Sequence, residues 1–221
     1  MILIPVKNLD SAKERLSPML TPRERCELAR VMLDDVLAVL AACAYRDVVT
    51  LVTGDPLAKE MAARYAFEVL EDPINPGETG AIANATMMCI RRGAEFTLVM
   101  PSDIPVITAA EVDRIFAAAP VEGAVLVPSG AGRGTNAAFR RPANLFPLQF
   151  GNDSFLPHLA AARATGRPVE VLRLSGIGLD VDEPEDLARL LSAPGDTRSQ
   201  QLLRQWGVVA RFAADAASRR V

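Results

Sequence analysis

The chain is poor in cysteine, histidine, lysine and aromatic residues, and each scarcity closes off some chemistry. Its three cysteines, Cys26, Cys43 and Cys89, lie far apart and match no metal-ligand spacing. Each falls in a segment expected to be helical, so they read as small buried thiols in a reducing compartment, not as a disulfide framework. The one histidine, His158, has no nucleophile positioned beside it in sequence and reads as a partly buried helix residue. No apolar run reaches the length of a membrane span, and the apolar N-terminus MILIPVKNLD is too short for a secretory signal. A cytoplasmic protein with no membrane partner is expected. The net charge of −3 gives no sign of a nucleic-acid surface. Neither GxGxxG nor GxxxxGK[ST] occurs, which argues against a dinucleotide fold and a P-loop.

Lysine is the most telling shortage. The 24 basic residues comprise 21 arginines and only three lysines, and two of those, Lys7 and Lys13, fall in the first thirteen residues. A chain that uses arginine almost everywhere else places the compact ammonium here, which suggests a local need for it. Otherwise the composition is that of a folded domain. At 221 residues and 50% hydrophobic, the chain can bury a real core. We expect one domain over 1–193 and a tail over 194–221 beginning at Pro194-Gly195.

Strand and helix patterns alternate along the domain. Ile2 to Val6 reads as a buried strand, followed by a loop to Leu20. Thr21-Pro22-Arg23-Glu24 is a capping box with proline at the first helical position. The helix it opens carries Leu28, Ala29, Met32, Leu33, Val36, Leu37 and Leu40 on one face, as far as Cys43. Strands follow at 47–53, 67–70, 96–100, 123–128 and 169–174, with an extended stretch at 136–140. Helices are expected at 56–65, 81–92, 109–119, 153–165 and 183–191, and Thr108 to Glu111 is a second capping box. The segment DPINPGETG, 72–80, reads as a loop. This order predicts an α/β domain whose parallel sheet is covered by helices on both faces. In the tail, Leu202, Leu203, Trp206, Val209, Ala210 and Ala213 fall on one helical face. Such a stripe needs a cover, either the domain itself or a second copy of the chain in a homodimer.

Three constellations carry chemistry. The loop after the first strand holds Lys7, Lys13 and Arg15 near the carboxyl edge of the sheet, where phosphates bind; a solvated basic turn is the plain alternative. Asp103, in VMPSDIP, closes the buried strand at 96–100, and Asp180 and Asp182 alternate in LDVDEP so that both point to one side. A hard cation bound with a nucleotide takes one or two such carboxylates and phosphate oxygens. As alternatives, Asp103 would cap a turn and Asp182 a helix. Gly134-Thr135, and Gly151 with Ser154 near a helix start, suit a phosphate or carboxylate, although Ser154 would also serve as a simple cap.

Taken in order, IPVKNLDSAKERLSP, VMPSDIPVI, GRGTNAAF, QFGNDSF and LDVDEPEDL resemble the CofC family of phospho-acid guanylyltransferases, from Met1 to about Leu191. The resemblance implies a three-layer, Rossmann-like nucleotidyltransferase fold with a mostly parallel sheet, similar to the molybdenum-cofactor guanylyltransferases. It implies Mg²⁺-dependent transfer of GMP from GTP to 2-phospho-L-lactate, phosphoenolpyruvate or 3-phospho-D-glycerate, in making the deazaflavin coenzyme F-420. By it, Asp103 and Asp180 ligate Mg²⁺, with Asp182 beside them as a third metal candidate. Thr135, Gly151 and Ser154 hold the phospho-acid. Lys13 and Arg15, with Lys7, contact the nucleotide phosphates. Relatives often carry Leu-Asn ahead of a helix near the guanine pocket; here the order is Ile82-Ala83-Asn84, and Asn84 is the nucleotide-binding candidate. A molybdopterin or sugar-phosphate nucleotidyltransferase would share the aspartates but show a GGxSxRMG-like first loop, which VKNLDSAKERL is not. A non-catalytic nucleotide-binding module would have no need for both Asp103 and Asp180.

Overall fold

Seven short strands form one sheet in the order β3-β2-β1-β4-β6-β5-β7, as seen in a computed structural model that describes residues 1–71, 77–151 and 153–212. The strands are β1 (Ile2–Pro5), β2 (Val49–Val52), β3 (Glu68–Leu70), β4 (Thr97–Val99), β5 (Gly123–Pro128), β6 (Thr135–Arg141) and β7 (Val169–Val171). The helices are α1 (Pro22–Ala42), α2 (Pro56–Arg64), α3 (Glu78–Arg91), α4 (Ala109–Ala118), α5 (Phe155–Ala164), α6 (Pro184–Ser192) and α7 (Arg198–Gln205). Much of the expected loop at 72–80, Asn152 and Ala213 lie outside the described residues.

Both capping boxes form as expected. The Thr21 hydroxyl accepts from the Glu24 amide while the Glu24 carboxylate accepts from Thr21, and Thr108 and Glu111 repeat the arrangement. Every residue of the predicted α1 stripe is buried. Alternate residues of the strands feed two separate cores. Ile2, Ile4, Leu98, Val125 and Phe139 face α1, α2 and α4, while Leu3, Val99, Ala124, Leu126 and Ala138 face α3 and α5. A sheet covered on both faces leaves no polar side to its central strands, which explains the unalternating apolar runs. Each fully buried Leu, Ile or Phe contributes about 1.5–3 kcal/mol to this packing.

One strand departs from the parallel arrangement. The sheet is mostly parallel, but β6 runs antiparallel to both of its neighbours, β4 and β5. A tight turn over 129–134, closed by Ser129 N–H donating to Gly134 O at 2.9 Å, joins β5 to β6 with no helix between them. The extended residues at 136–140 therefore belong to a hairpin. The strand expected at 169–174 pairs only over Val169–Val171, at the sheet edge beside β5.

The thiols differ from expectation at one position. Cys43 and Cys89 are buried, but Cys26 is only half-buried, on the first turns of α1, where its Sγ donates to Asp10 O at 3.0 Å.

The tail packs on α1 and α6 through a third core formed by Leu16, Met19, Leu28, Met32, Leu187, Leu190, Leu203 and Val208. Its expected stripe breaks at Gly207, whose φ of +65° ends α7 and resets the helical phase. Val208 is therefore the buried residue, while Val209 and Ala210 are exposed. Asp35 on α1 anchors the start of α7, accepting from Ser199 N–H at 2.9 Å, Ser199 Oγ–H at 2.6 Å and Arg198 N–H at 3.1 Å. No helix among the described residues is long and apolar enough to cross a membrane.

Candidate active site

The carboxyl edge of the sheet gathers most of the chemistry. Three adjoining cavities lie along it, of about 380, 460 and 400 Å³, and Glu78 at the start of α3 lines all three. The first is walled by Lys7, Lys13, Ser102, Asp103 and Asp182. The second takes in Arg15, Asp103, Thr135, Asn136, Gly151, Ser154, Asp180 and Asp182. The third runs between the ends of β1 and β2, with Lys7, Asn8, Gly54, Asp55 and Gly77 on its walls.

Lys13 lies at the junction. Its backbone is left-handed, with φ of 60° and ψ of 38°, a conformation that costs a non-glycine residue free energy and clusters at functional sites. The turn aims its side chain inward, where the ammonium donates to Asp103 Oδ2 and, at 2.9 Å, to Asp182 Oδ1. Burial alone would lower the Lys13 pKa, but the carboxylates of Asp103 and Asp182 together hold it well above the ordinary lysine value. Lys13 is thus a charge held between carboxylates, with two of its three N–H donors engaged among the described residues. Asp182 does not cap α6: Glu183 holds that position, and Asp186 accepts from the amides of Asp182 and Glu183 at 3.1 and 2.9 Å.

Asp180 is held from a different direction. Asn136, in the reversed strand β6, donates from Nδ2 to Asp180 Oδ1 at 3.0 Å and to Ile177 O at 2.8 Å. The segment before Asp180 is pinned by Glu111, whose Oε1 accepts from Gly176 N–H at 2.7 Å. A side chain at Gly176 would meet Glu111 Oε2 at 2.3 Å and Val106 O at 2.4 Å, so only glycine fits there. Burial, and then the charge of Asp103, push the Asp180 carboxyl above its usual value despite the Asn136 bond. Burial likewise raises Glu78.

A hard cation fits this arrangement on one observation. Asp103 Oδ1 is buried and, among the described residues, has no hydrogen-bond partner, an arrangement that costs free energy unless a positive group meets it. Among the described residues no group of three His, Cys, Asp or Glu side chains could hold an ion alone. Ligands would therefore have to come from a bound substrate as well, as is usual for Mg²⁺.

Hydroxyls also line the second cavity. Ser154 occupies the N-cap position of α5, yet its side chain makes no capping bond. It instead accepts from Thr135 N–H at 3.1 Å. Gly151 and Phe150 line the same wall, and Phe150 N–H is tied to Thr79 Oγ1 at 3.0 Å. Arg15 borders this cavity, with its guanidinium 3.9 Å from Glu183.

A family model described as "Guanylyl transferase CofC like" matches residues 1–221. The chain belongs to the CofC guanylyltransferase family. Among its relatives, a phosphoenolpyruvate guanylyltransferase of Sphaerobacter thermophilus is 40% identical over 188 residues, covering 85% of this chain and 90% of that protein. A 2-phospho-L-lactate guanylyltransferase of Methanothermobacter thermautotrophicus is 34% identical over 205 residues, covering 92% and 89%. A crystal structure from Desulfovibrio desulfuricans G20, assigned as a nucleotide-diphospho-sugar transferase, shares the fold, with a TM-score of 0.77 at 20% identity over 96% of each chain.

In this CofC chain the structure brings Lys7, Lys13, Arg15, Asp103, Thr135, Gly151, Ser154, Asp180 and Asp182 onto the walls of the first two cavities. Asn84 is not among them. It is exposed on α3, on the side of that helix away from the buried Ala81, Ile82 and Ala85. Sequence reasoning passed over Asn136, Glu78 and the contacts of His158. For Asn136 a signal was available: a polar amide opening an otherwise apolar strand, GTNAAF, is buried at a cost unless it has a partner.

Proposed function

We propose that this protein transfers GMP from GTP to a small phospho-acid with release of pyrophosphate, and that it serves the making of the deazaflavin coenzyme F-420. The observation that carries the reading is one cavity whose walls carry both carboxylates and hydroxyls, with a buried lysine in the adjoining cavity bound to two of those carboxylates. The walls of the second cavity include Asp103, Asp180 and Asp182 together with Thr135, Gly151 and Ser154. The names of the family relatives support both the guanylyl group and the phospho-acid, phosphoenolpyruvate being the first acid to test.

In the reaction an acceptor phosphate oxygen forms a bond to the α-phosphorus of GTP, and the bond from that phosphorus to the β-phosphate oxygen breaks. The attacking phosphate is already ionised at neutral pH, so no general base is required; this suits a site whose one nearby histidine is buried. Both reactants are anions, and the main tasks are alignment and charge compensation. Asp103 and Asp180, with Asp182 alongside, would hold Mg²⁺, which when bound draws phosphate oxygens together and offsets their charge. Lys13 keeps one N–H donor for a phosphate, and Arg15 borders the same space, so the pair offset charge growing on pyrophosphate. Thr135 and Ser154 hold the acid by donating hydrogen bonds to its anionic oxygens, with Gly151 on the same wall. The third cavity, next to Lys7, is the place for the nucleoside.

The test is pyrophosphate release from GTP with phosphoenolpyruvate, 2-phospho-L-lactate and 3-phospho-D-glycerate in turn, each with and without Mg²⁺. Release with one acid and not with GTP alone is expected. Absence of release with all three would overturn the reading.

A further inference from the structure

We infer that His158 is a positioning residue: its Nδ1–H holds the Thr135 hydroxyl oxygen as an acceptor, so that the Thr135 hydroxyl hydrogen is committed to the phospho-acid. His158 lies on α5 and is 1% exposed. Its Nε2 faces the Gln149 backbone N–H at 2.8 Å. An amide N–H can only donate, so Nε2 carries a lone pair and the ring is neutral. The ring proton must then sit on Nδ1, which lies 2.9 Å from Thr135 Oγ1. Thr135 Oγ1 therefore accepts from the histidine. Among the described residues neither the Thr135 nor the Ser154 hydroxyl donates to any protein acceptor, and Ser154 Oγ accepts from Thr135 N–H at 3.1 Å.

The consequence is directional. A free threonine hydroxyl both donates and accepts, and so would tolerate a neutral or cationic neighbour equally well. Because the histidine nitrogen that faces it is itself a donor, Thr135 keeps its own hydroxyl hydrogen for a group in the cavity. Ser154 is arranged the same way by the Thr135 amide. Two hydroxyl hydrogens are thus available side by side, which favours the anionic oxygens of a carboxylate or phosphate as their acceptors. The Gln149 contact also holds the loop that carries Gly151, while Phe146 and Phe150 border the ring at centroid distances of 6.5 and 5.4 Å. The ring is thus held on both nitrogens and by packing, as a positioning group requires.

The inference rests on the reading that the phospho-acid occupies this end of the cavity, and the experiment separates the two. His158 is the chain's only histidine, so ¹⁵N-histidine labelling gives a single imidazole to observe. The wild-type protein at neutral pH should show a protonated Nδ1 and a bare Nε2, the opposite of the tautomer that free histidine prefers in water. A protonated Nε2, or an imidazolium, would overturn the inference with no variant made. Kinetics then use whichever of the three acids releases pyrophosphate. His158→Leu should raise the KM for that acid by about tenfold, the effect of one weakened hydrogen bond to an anion, and leave the KM for GTP within about twofold. His158→Asn, whose Nδ2 can reach the place of Nδ1, should recover much of the loss and serves where His158→Leu does not fold. In a Thr135→Val background the His158 substitutions should have almost no further effect. If Thr135→Val alone leaves the acid KM unchanged, the acid does not bind at this end, and reading and inference fall together. If Thr135→Val raises it but the His158 variants do not, or add their full effect to it, the inference alone is overturned.

Discussion

Neutralising Asp103 and neutralising Asp180 should have the same effect on turnover and different effects on stability. Both changes, Asp103→Asn and Asp180→Asn, remove a charge proposed to hold the metal. Each should lower Mg²⁺-dependent turnover by about two to three decades, corresponding to roughly 3–4 kcal/mol of transition-state stabilisation. Stability is where they part. Asp103 is a partner of Lys13, whose side chain is 9% exposed, and the remaining partner, Asp182, is 48% exposed. Breaking a buried pair costs about 3–5 kcal/mol. Asp182 stays, and the new amide oxygen still accepts from Lys13, so about 2 kcal/mol is the reasonable figure here. For a domain of this size that lowers Tm by about 4–8 °C.

Asp180 is the reverse case. Burial has already raised its carboxyl pKa, so the folded protein disfavours the charge it carries at neutral pH. Replacing it with a neutral amide removes that cost, and Asn136 can still donate to the amide oxygen. Asp180→Asn should therefore leave Tm unchanged or raise it. Thermal melts without nucleotide, beside the pyrophosphate assay, decide the matter. Near-normal turnover in Asp103→Asn would refute the metal assignment. A larger Tm loss in Asp180→Asn than in Asp103→Asn would refute the electrostatic account of the site.

Three further outcomes are expected. Ser154→Ala should raise the KM for the phospho-acid by the equivalent of about 1.5–3 kcal/mol and move the KM for GTP much less; the reverse pattern in steady-state kinetics would put the wrong substrate at this end. Truncation after Ala193 removes the fully buried Leu203 and Val208 from the third core and should lower Tm measurably, while the protein that stays folded still turns over GTP; an unchanged melt would contradict the docking of α7. Burial, and then Arg140, lower the His158 pKa from 6.5 to about 4. The unfolded chain thus binds the extra proton first, so this contribution is whole above pH 6.5 and falls by about 3 kcal/mol as the pH drops through 4. Urea unfolding of wild type and His158→Leu should show their stability difference shrinking over that range, and a constant difference would refute it.

What could be read along the chain was what repeats along the chain. The stripe from Leu28 to Leu40, the capping boxes at Thr21 and Thr108 and the unalternating run ending at Met100 each depend on residues within a turn or two, and each appears in the structure. The features that escaped depend on partners far away. Lys13 meets carboxylates 90 and 169 positions distant, and Asn136 meets one 44 positions distant. No periodicity carries that information. Nor does an apolar strand reveal its direction, which is why the extended residues after Thr135 gave no warning that β6 is reversed. Gly207 is the intermediate case: its helix-ending tendency was visible, but the phase shift that exchanged Val209 for Val208 depends on the left-handed backbone it adopts.

The reversal of β6 decides where the proposed acceptor site lies. A parallel strand begins at the amino edge of the sheet, and its first residues lie a whole strand length away from the chemistry. For a strand of six residues such as β5, that distance is roughly 20 Å. Because β5 turns straight back into β6, Thr135 and Asn136 open a strand and yet stand at the carboxyl edge beside Asp103 and Asp180. The same turn returns the chain toward α5, where Phe155 N–H donates to Arg133 O at 2.8 Å and brings Ser154 against Thr135. A single hairpin thus delivers the amide that orients Asp180 and the hydroxyls proposed to receive the acid. Register within it is therefore a functional quantity. The pairing shifts between Val127 and Pro128, next to this turn, and lengthening the turn by one residue would move Thr135 relative to Asp180 while leaving the β4 and β5 pairings of Phe139 in place. Inserting one glycine after Gly132 should accordingly cost little in Tm but raise the KM for the phospho-acid far more than that for GTP. An insertion mutant with both constants unchanged would show that the acid is held somewhere other than the start of β6.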